Sequence, residues 1–159
     1  MTSHVAALLF AWVLANQAGA PVPVVPSLLA AGALAAHTRT GLLVPVVVTV
    51  AATIVADLIW YCLGRWRGPQ VLALLGRLSR RTAARVEHAE QRFLAHQLAF
   101  LFSSRFLPEM NPIAAGMAGA TRIVLGRYIV IAATSAAAWA VAWTGAGYAL
   151  GHGIGFVWR

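Results

Sequence analysis

Charged residues are scarce in this chain, and lysine is missing altogether. Only 10% of the 159 residues are charged; twelve of them are basic, all arginine, and four are acidic. A soluble domain carries roughly 25% charged residues, whereas 60% of this chain is hydrophobic. The chain has too few charges to cover a water-facing surface. We therefore predict an integral membrane protein that forms a single membrane domain over residues 1–159.

Cysteine and the common catalytic motifs are also lacking. Cys62 is the only cysteine, so neither a disulfide framework nor a cysteine metal site is available. The sequence contains no Gly-Lys-Ser/Thr phosphate loop, no Gly-x-Ser-x-Gly elbow and no His-Glu-x-x-His pair. A lipid enzyme would need a nucleophile and a base together, and only Ser103 and Ser104 come near this requirement. We predict a protein that is not an enzyme, with no catalytic residue, metal or cofactor.

The positive charge is concentrated in one stretch. The net charge is +8, and seven of the arginines lie between Arg65 and Arg92, in the one segment polar enough to leave the bilayer. Arginine-rich loops are typical of the cytoplasmic side of a membrane, where they face anionic lipid. We therefore expect a basic cytoplasmic link over residues 65–92. This placement indicates membrane lipids as partners, not nucleic acid.

Proline interrupts two apolar segments. Pro21, Pro23 and Pro26 follow the apolar run 5–15, and Pro108 and Pro112 follow the apolar run 93–102. Proline stops a helix, and within hydrocarbon such a break persists only where protein or a water-filled cavity satisfies the freed backbone groups. Each segment is too short to cross the membrane twice, so we predict two re-entrant hairpins. Residues 1–18 either lie at the interface or span with their flanks.

Each hairpin precedes one long apolar stretch, residues 41–63 and residues 128–150, and each stretch is long enough to span. An offset of 87 positions aligns five pairs: Pro21 with Pro108, Gly32 with Gly119, Tyr61 with Tyr148, Leu63 with Leu150, and Gly64 with Gly151. A unit that crosses the membrane once leaves the next unit inverted. We therefore predict an all-α membrane protein of two inverted repeats, residues 18–68 and 93–155, an arrangement typical of secondary transporters.

Three charged residues fall in segments predicted to be embedded: Asp57, Arg105 and Glu109. Each costs about 2.5–3.5 kcal/mol at a helix centre on insertion scales, and such residues mark functional sites by default. Burial favours the protonated form of a carboxylate, so Asp57 is predicted to exchange a proton. The alternative is a structural aspartate that is hydrogen-bonded or ion-paired.

The second Pro-broken segment carries the candidate ligand-binding residues. The Arg105 guanidinium matches a phosphate group bidentately, and its alternative role is to neutralise Asp57 or Glu109. Glu109 is predicted equally to bind substrate or to be solvated or paired. Asn111 either hydrogen-bonds a ligand or caps the half-helix that opens at Pro112, and we favour capping.

The residues in this order resemble the DedA family, also described as the VTT or SNARE-associated domain. The resemblance covers positions 20–151 and includes Asp57-x-x-x-Tyr61-x-x-Gly64-Arg65 and Arg105-Phe106-Leu107-Pro108. It implies an inner-membrane protein with two inverted re-entrant hairpins that moves lipid phosphates such as undecaprenyl phosphate, with proton coupling. The sequence departs from the family pattern at Val25, where the family has Glu, and at Asn111, where it has a second Arg.

We therefore predict a transporter or flippase of an anionic lipid, either a polyprenyl phosphate or a phospholipid. In this protein Asp57 would exchange a proton and Arg105 would bind the headgroup. A homodimer is expected, because two spanning helices provide little material to enclose a path. The alternative is a non-transporting membrane protein that organises partners or envelope assembly through the segment Arg65–Arg92. In that case, substituting those arginines would matter more than substituting Asp57 or Arg105.

Overall fold

The computed structural model describes residues 3–38, 41–78, 96–107 and 110–157, and these ranges are helical with no strand. The elements, in chain order, are α1 (Ser3–Gln17), α2 (Val24–Ala35), α3 (Leu43–Leu78), α4 (Gln97–Ser103), a 3₁₀ turn (Ser104–Phe106), α5 (Met110–Ala120) and α6 (Leu125–Val157). The predicted all-α fold is confirmed for these ranges.

Two helices of the described chain are long and apolar enough to cross a membrane, namely Leu43–Gly68 in α3 and Leu125–Gly153 in α6. Both predicted spanning helices are therefore found, although each extends beyond its predicted end. Gly151 does not terminate α6, which continues to Val157. Helix α3 also continues past its predicted end, but Gly68 has φ 31° and ψ −109° and kinks it there. Proline at position 69 accounts for the kink, because it provides no backbone N–H.

The chain divides into two compact units, and each contains part of both long helices. Unit 1 comprises residues 1–16, 20–53 and 136–159, and unit 2 comprises residues 17–19 and 54–135. Unit 1 therefore holds α1 except its last residue, Gln17, which belongs to unit 2, together with α2, the first part of α3 and the second part of α6. Unit 2 holds the rest of α3, then α4, the 3₁₀ turn, α5 and the first part of α6. The predicted repeats 18–68 and 93–155 stay predictions.

Unit 1 contains a helical hairpin, formed by α1 and α2. Its turn is fixed by two side chains of α1: Trp12 Nε1 donates to the Pro23 carbonyl at 3.2 Å, and Asn16 Nδ2 donates to the Val22 carbonyl at 2.8 Å. These bonds satisfy backbone oxygens that the turn leaves without helical partners. The apolar side chains of the two helices share one buried cluster with Ala52 and Trp139.

Helix α2 lies directly against α6 within unit 1, and glycine permits the approach. A Cβ added to Gly32 would overlap the carbonyl oxygen of Thr144, and one added to Gly147 would overlap the carbonyl oxygen of Leu29. The two backbones are in contact at both points. Small residues allow this close packing between membrane helices, where the hydrophobic effect provides little attraction.

The same arrangement occurs within unit 2, where α5 lies against α3. A Cβ on Gly119 would overlap the Tyr61 carbonyl oxygen, and a Cβ on Gly64 would overlap the Gly116 carbonyl oxygen. Gly116 and Gly119 follow Leu29 and Gly32 by the predicted 87 positions, but Gly147 follows Gly64 by 83. On the long helices, the residue that corresponds to Gly64 is therefore Gly147, which lies four residues, about one helical turn, before the predicted Gly151.

Two of the predicted hairpin breaks lie inside helices. Pro21 and Pro23 are in the non-helical connection before α2, as predicted, but Pro26 is the third residue of α2 and Pro112 the third residue of α5. Proline is tolerated in a first helical turn, because N–H groups there have no intrahelical acceptor. Pro26 and Pro112 therefore lie in first helical turns, and for Pro112 this agrees with the half-helix that was expected to open there. Pro108 lies outside the described residues.

Candidate functional site

Asp57 is the centre of a buried polar network in unit 2. It lies in the second part of α3, and its side chain is 1% exposed. An isolated carboxylate at such a position would be strongly unfavourable, so its partners decide what the site can do. Both carboxylate oxygens have partners, and each partner comes from a different element.

The first partner is Arg105, which the 3₁₀ turn between α4 and α5 presents to α3. Its Nη2 donates to Asp57 Oδ2 at 2.6 Å, and its Nε donates to Ser135 Oγ of α6 at 3.2 Å. Like that of Asp57, the Arg105 side chain is almost completely buried, with 2% exposed. The two charges, 48 residues apart in sequence, form a buried ion pair.

The second partner is Asn111, in the first turn of α5. Both hydrogens of its amide are used: Nδ2 donates to Asp57 Oδ1 at 2.7 Å and to Gln17 Oε1 at 3.0 Å. Asn111 is the second residue of α5, whereas a capping residue precedes the first helical residue, so Asn111 does not hold the expected capping position. The amide instead connects the last residue of α1 to the carboxylate.

One nitrogen of Arg105 remains without a partner. Among the described residues, nothing hydrogen-bonds its Nη1, although the atom is fully buried. An unpaired buried donor is costly and calls for an explanation. The guanidinium lines a cavity of about 10 Å³, enough for the centre of about one water molecule. Asn111 and Tyr128 line the same cavity, together with small alanine side chains of α5 and α6.

Tyr128 is held in place beside the cavity by a second tyrosine. Its ring stacks on the ring of Tyr61, with 4.8 Å between centroids. The Tyr61 hydroxyl donates to the carbonyl of Ile123, just before α6. The two tyrosines thereby join α3 to α6 within unit 2, and Tyr128 forms part of the cavity wall.

The structure brings together three of the predicted site residues, Asp57, Arg105 and Asn111. Glu109 and Pro108 lie outside the described residues, as does half of the basic link, residues 79–92. Sequence reasoning did not find Gln17 and Ser135, both of which are buried. The sequence contained a signal for each. Gln17 is a polar residue at the end of an apolar helix, and Ser135 is a polar residue within a spanning stretch.

The chain can be compared with known protein families and relatives. The sequence profile of the VTT domain matches residues 22–149, most of the chain. The chain belongs to the VTT domain family. The expected membership of the DedA family is thereby confirmed, and the protein is a membrane protein of this family. Its matched range contains Asp57, Arg105 and Asn111, whereas Gln17 lies before it.

One relative of this VTT domain protein is an uncharacterized membrane protein from Synechocystis. It is 27% identical over 137 residues, which are 86% of this chain and 63% of the relative. The chain thus spans less than two thirds of the length of the relative that it matches. No solved structure matches the chain significantly.

Proposed function

We propose that this VTT domain protein moves an anionic lipid across the bacterial inner membrane and exchanges a proton at Asp57. The observation that carries the proposal is the buried Asp57–Arg105 ion pair, in which Arg105 borders a small cavity and its Nη1 has no partner among the described residues. Membrane families retain embedded charges mainly where substrates or protons pass. The membership of a membrane-transport family supports the same proposal.

The chemistry follows from the competition for Arg105. While Asp57 is ionised, its Oδ2 holds Nη2 at 2.6 Å and the pair is neutral. Protonation of Asp57 removes that charge and weakens its hold on the guanidinium. Nη1 and Nη2 then form a fork that fits two oxygens of a phosphate group, which guanidinium binds bidentately. Proton uptake is thus coupled to capture of the headgroup, and Glu109 is proposed as a further substrate contact.

The recurring contacts of the two units support an internal repeat. In each unit, the second helix of a hairpin packs through glycine against a long helix. In unit 1, α2 packs against the second part of α6, and in unit 2, α5 packs against the second part of α3. We propose that both hairpins are re-entrant and that the repeats are inverted. Transporters with inverted repeats bind their substrate near the membrane midplane, where broken helices end.

Orientation and assembly complete the proposal. We propose that the Arg65–Arg92 link lies in the cytoplasm, where it would face anionic lipid. We also propose that the protein acts as a homodimer. The alternative, an organising role for this link, would make the exposed arginines the functional ones. Arg65 and Arg67 are exposed.

The test is transport in proteoliposomes that contain the purified full chain. A labelled phospholipid and a labelled polyprenyl phosphate would be followed with and without a pH gradient, for wild type and for Asp57→Asn and Arg105→Ala. The matched control is Arg127→Ala, which removes an arginine that is exposed at the start of α6. We expect transport in wild type and the control, and loss of transport in both site variants.

Each other result leads to a definite conclusion. Transport that is unaffected by both site substitutions would keep the transporter and reject this site. If neither lipid moves, the proposed function is wrong, and substitution of the exposed Arg65 and Arg67 would then test the organising role. Correct folding of each variant would be checked by its elution as a monodisperse species in detergent.

A further inference from the structure

The last residue of α1 reaches the buried network of unit 2. Gln17 is 4% exposed, and its Oε1 accepts a hydrogen bond of 3.0 Å from Asn111 Nδ2. The same nitrogen donates to Asp57 Oδ1 at 2.7 Å. Residues 17–19 belong to the same compact unit as Asp57 and Asn111. The buried carboxylate is thus connected to a helix that precedes residue 22, where the match to the VTT domain begins.

We propose that Gln17 is a positioning residue for transport, which acts through Asn111 and keeps the Asn111 amide oriented so that it donates to Asp57. The inference rests on the proposed function, because Gln17 has a part in transport only if Asp57 has one. It adds to the site a residue from outside the matched domain, and it requires no contact between Gln17 and the lipid.

The amide of Asn111 depends on a second acceptor, because its two ends are alike in size and opposite in polarity. Nδ2 carries two hydrogens, whereas Oδ1 only accepts. In the observed orientation both hydrogens are bonded, one to Asp57 and one to Gln17. A half-turn of the amide would break both bonds and bring its oxygen against the carboxylate. Buried acceptors without a donor are unfavourable, so Gln17 strengthens the preference for the orientation that serves Asp57.

The orientation of the amide in turn aligns the ion pair. A carboxylate is planar, so a bond that holds Oδ1 of Asp57 also fixes the direction in which Oδ2 points. Oδ2 is the atom that accepts from Arg105 Nη2 at 2.6 Å. Without the bond from Asn111, the carboxylate would be free to turn, and the guanidinium would no longer meet it at one fixed angle. Loss of Gln17 therefore loosens the contact on which the proposed competition for Arg105 depends.

The backbone after Gln17 holds this side chain beside α5. Gly19 has φ 107°, and Ala20 N donates to the Ala15 carbonyl at 3.0 Å. This pattern ends α1 directly after Gln17. A Cβ added to Gly19 would lie 3.9 Å from Pro112 Cγ, so the turn lies against the first turn of α5. The end of α1 is therefore fixed next to the amide that its side chain contacts.

The first test uses the fact that Asp57 is the only aspartate in the sequence. Protein made by cell-free synthesis with isotope-labelled aspartate gives a single aspartate side-chain signal in solid-state NMR, and the chemical shift of this signal reports the hydrogen bonds of that carboxylate. Gln17→Met removes the acceptor and keeps an unbranched side chain. We expect the signal to move in this variant, in the same direction as in Asn111→Ala.

The control and a second variant come from the same helix end. Asn16→Leu removes the neighbouring amide of α1, which bonds the Val22 carbonyl in the hairpin turn, and it should leave the signal in place. Gln17→Ser has a side chain too short to reach Asn111 and keeps the helix end polar. It tests the same expectation if Gln17→Met does not fold.

The second test measures transport of labelled phosphatidylglycerol and of labelled polyprenyl phosphate in proteoliposomes, per amount of folded protein. We expect Gln17→Met to lower the rate about 3- to 10-fold, the effect of losing one hydrogen bond, and Asn16→Leu to leave it unchanged. In an Asn111→Ala background, Gln17→Met should have little further effect, since the amide through which it acts is gone.

The outcomes separate the inference from the proposed function. A signal that moves in Asn111→Ala but not in Gln17→Met would overturn the inference, because Gln17 would then not act on Asp57. Transport at the wild-type rate in Gln17→Met would also overturn it and would leave the proposed function standing. If wild type moves neither lipid, the proposed function fails, and the role of Gln17 in transport fails with it.

Discussion

At the scale of single residues, Arg105 and Asp57 depend on each other more than on anything else in the site. Each is buried, and the ion pair of 2.6 Å compensates the charge of both. Removal of one partner from a buried pair leaves an uncompensated charge, which costs more than the pair contributes. The two residues should therefore behave as one unit in mutagenesis.

Arg105→Ala is expected to destabilise the protein by about 3–5 kcal/mol, because Asp57 would be left buried without its counter-charge. Arg105→Ala combined with Asp57→Ala should cost clearly less than the sum of the two single substitutions. Denaturant unfolding in mixed micelles would measure these free energies. Additive costs would contradict the pairing.

A second residue-scale prediction concerns Asn111. Its amide donates at 2.7 Å to Asp57 and at 3.0 Å to Gln17, so Asn111→Ala leaves two buried acceptors without a donor. We expect a loss of about 1–3 kcal/mol in unfolding free energy. Thr134→Ala is the control, because the Thr134 hydroxyl is exposed and bonds its own helix. Equal effects of the two substitutions would show that the amide bridge contributes nothing.

At the scale of elements, glycine decides how closely each hairpin approaches its long helix. Gly32 and Gly147 permit the contact of α2 with α6 in unit 1, and Gly64 and Gly119 permit that of α5 with α3 in unit 2. In unit 2 this contact also fixes the distance from Asn111 to Asp57, because the two residues lie on the packed helices. The glycines thus position the site without touching it.

Gly147→Ala and Gly145→Ala form a matched pair two residues apart on α6. A Cβ at Gly147 would overlap the backbone of Leu29, whereas at Gly145 it would meet nothing within 4 Å. We expect Gly147→Ala to destabilise by about 1–3 kcal/mol or more, since the helices must separate. Gly145→Ala should be neutral or stabilise by about 0.5–1 kcal/mol, since alanine favours the helix.

Thermal unfolding in detergent would separate these two outcomes. A similar melting temperature for both variants would contradict the close packing of α2 on α6. A loss in both would point to a requirement for flexibility in α6 and not to packing.

At the scale of the whole molecule, the number of crossings determines which side each polar segment occupies. The described chain offers two helices able to span, Leu43–Gly68 and Leu125–Gly153. If the hairpins return to the side from which they enter, the ends of α2 and the beginning of α6 lie on opposite sides. Arginine-rich segments then occupy the cytoplasmic side.

This topology predicts the labelling of two introduced cysteines. In a Cys62→Ala background, His37→Cys should react with a membrane-impermeant maleimide applied to intact cells, and Arg127→Cys should react only after permeabilisation. Both native residues are exposed, and His37→Cys removes the stacking of the His37 ring on that of His152. Labelling of both positions from the same side would exclude the inverted arrangement.

Much of the fold could be predicted from local pattern. Long apolar runs located both spanning helices, and the turn at Pro21 and Pro23 was correctly placed. Pro26 and Pro112 occupy first helical turns, as expected for the half-helix that opens at Pro112. Proline is compatible with both a break and a helix start, so the residue type alone does not distinguish them.

The sequence by itself determined that this chain belongs in a membrane and marked Asp57 and Arg105 as embedded charges and candidate site residues, because hydropathy and the cost of embedded charge are local properties. Only the tertiary structure decided that these two residues meet, that Asn111 bridges Asp57 to Gln17, and that the glycine of α6 that contacts a hairpin helix follows that of α3 by 83 positions. These facts depend on how the hairpin helices pack against the long helices. Such packing joins residues up to 94 positions apart, which no local pattern specifies.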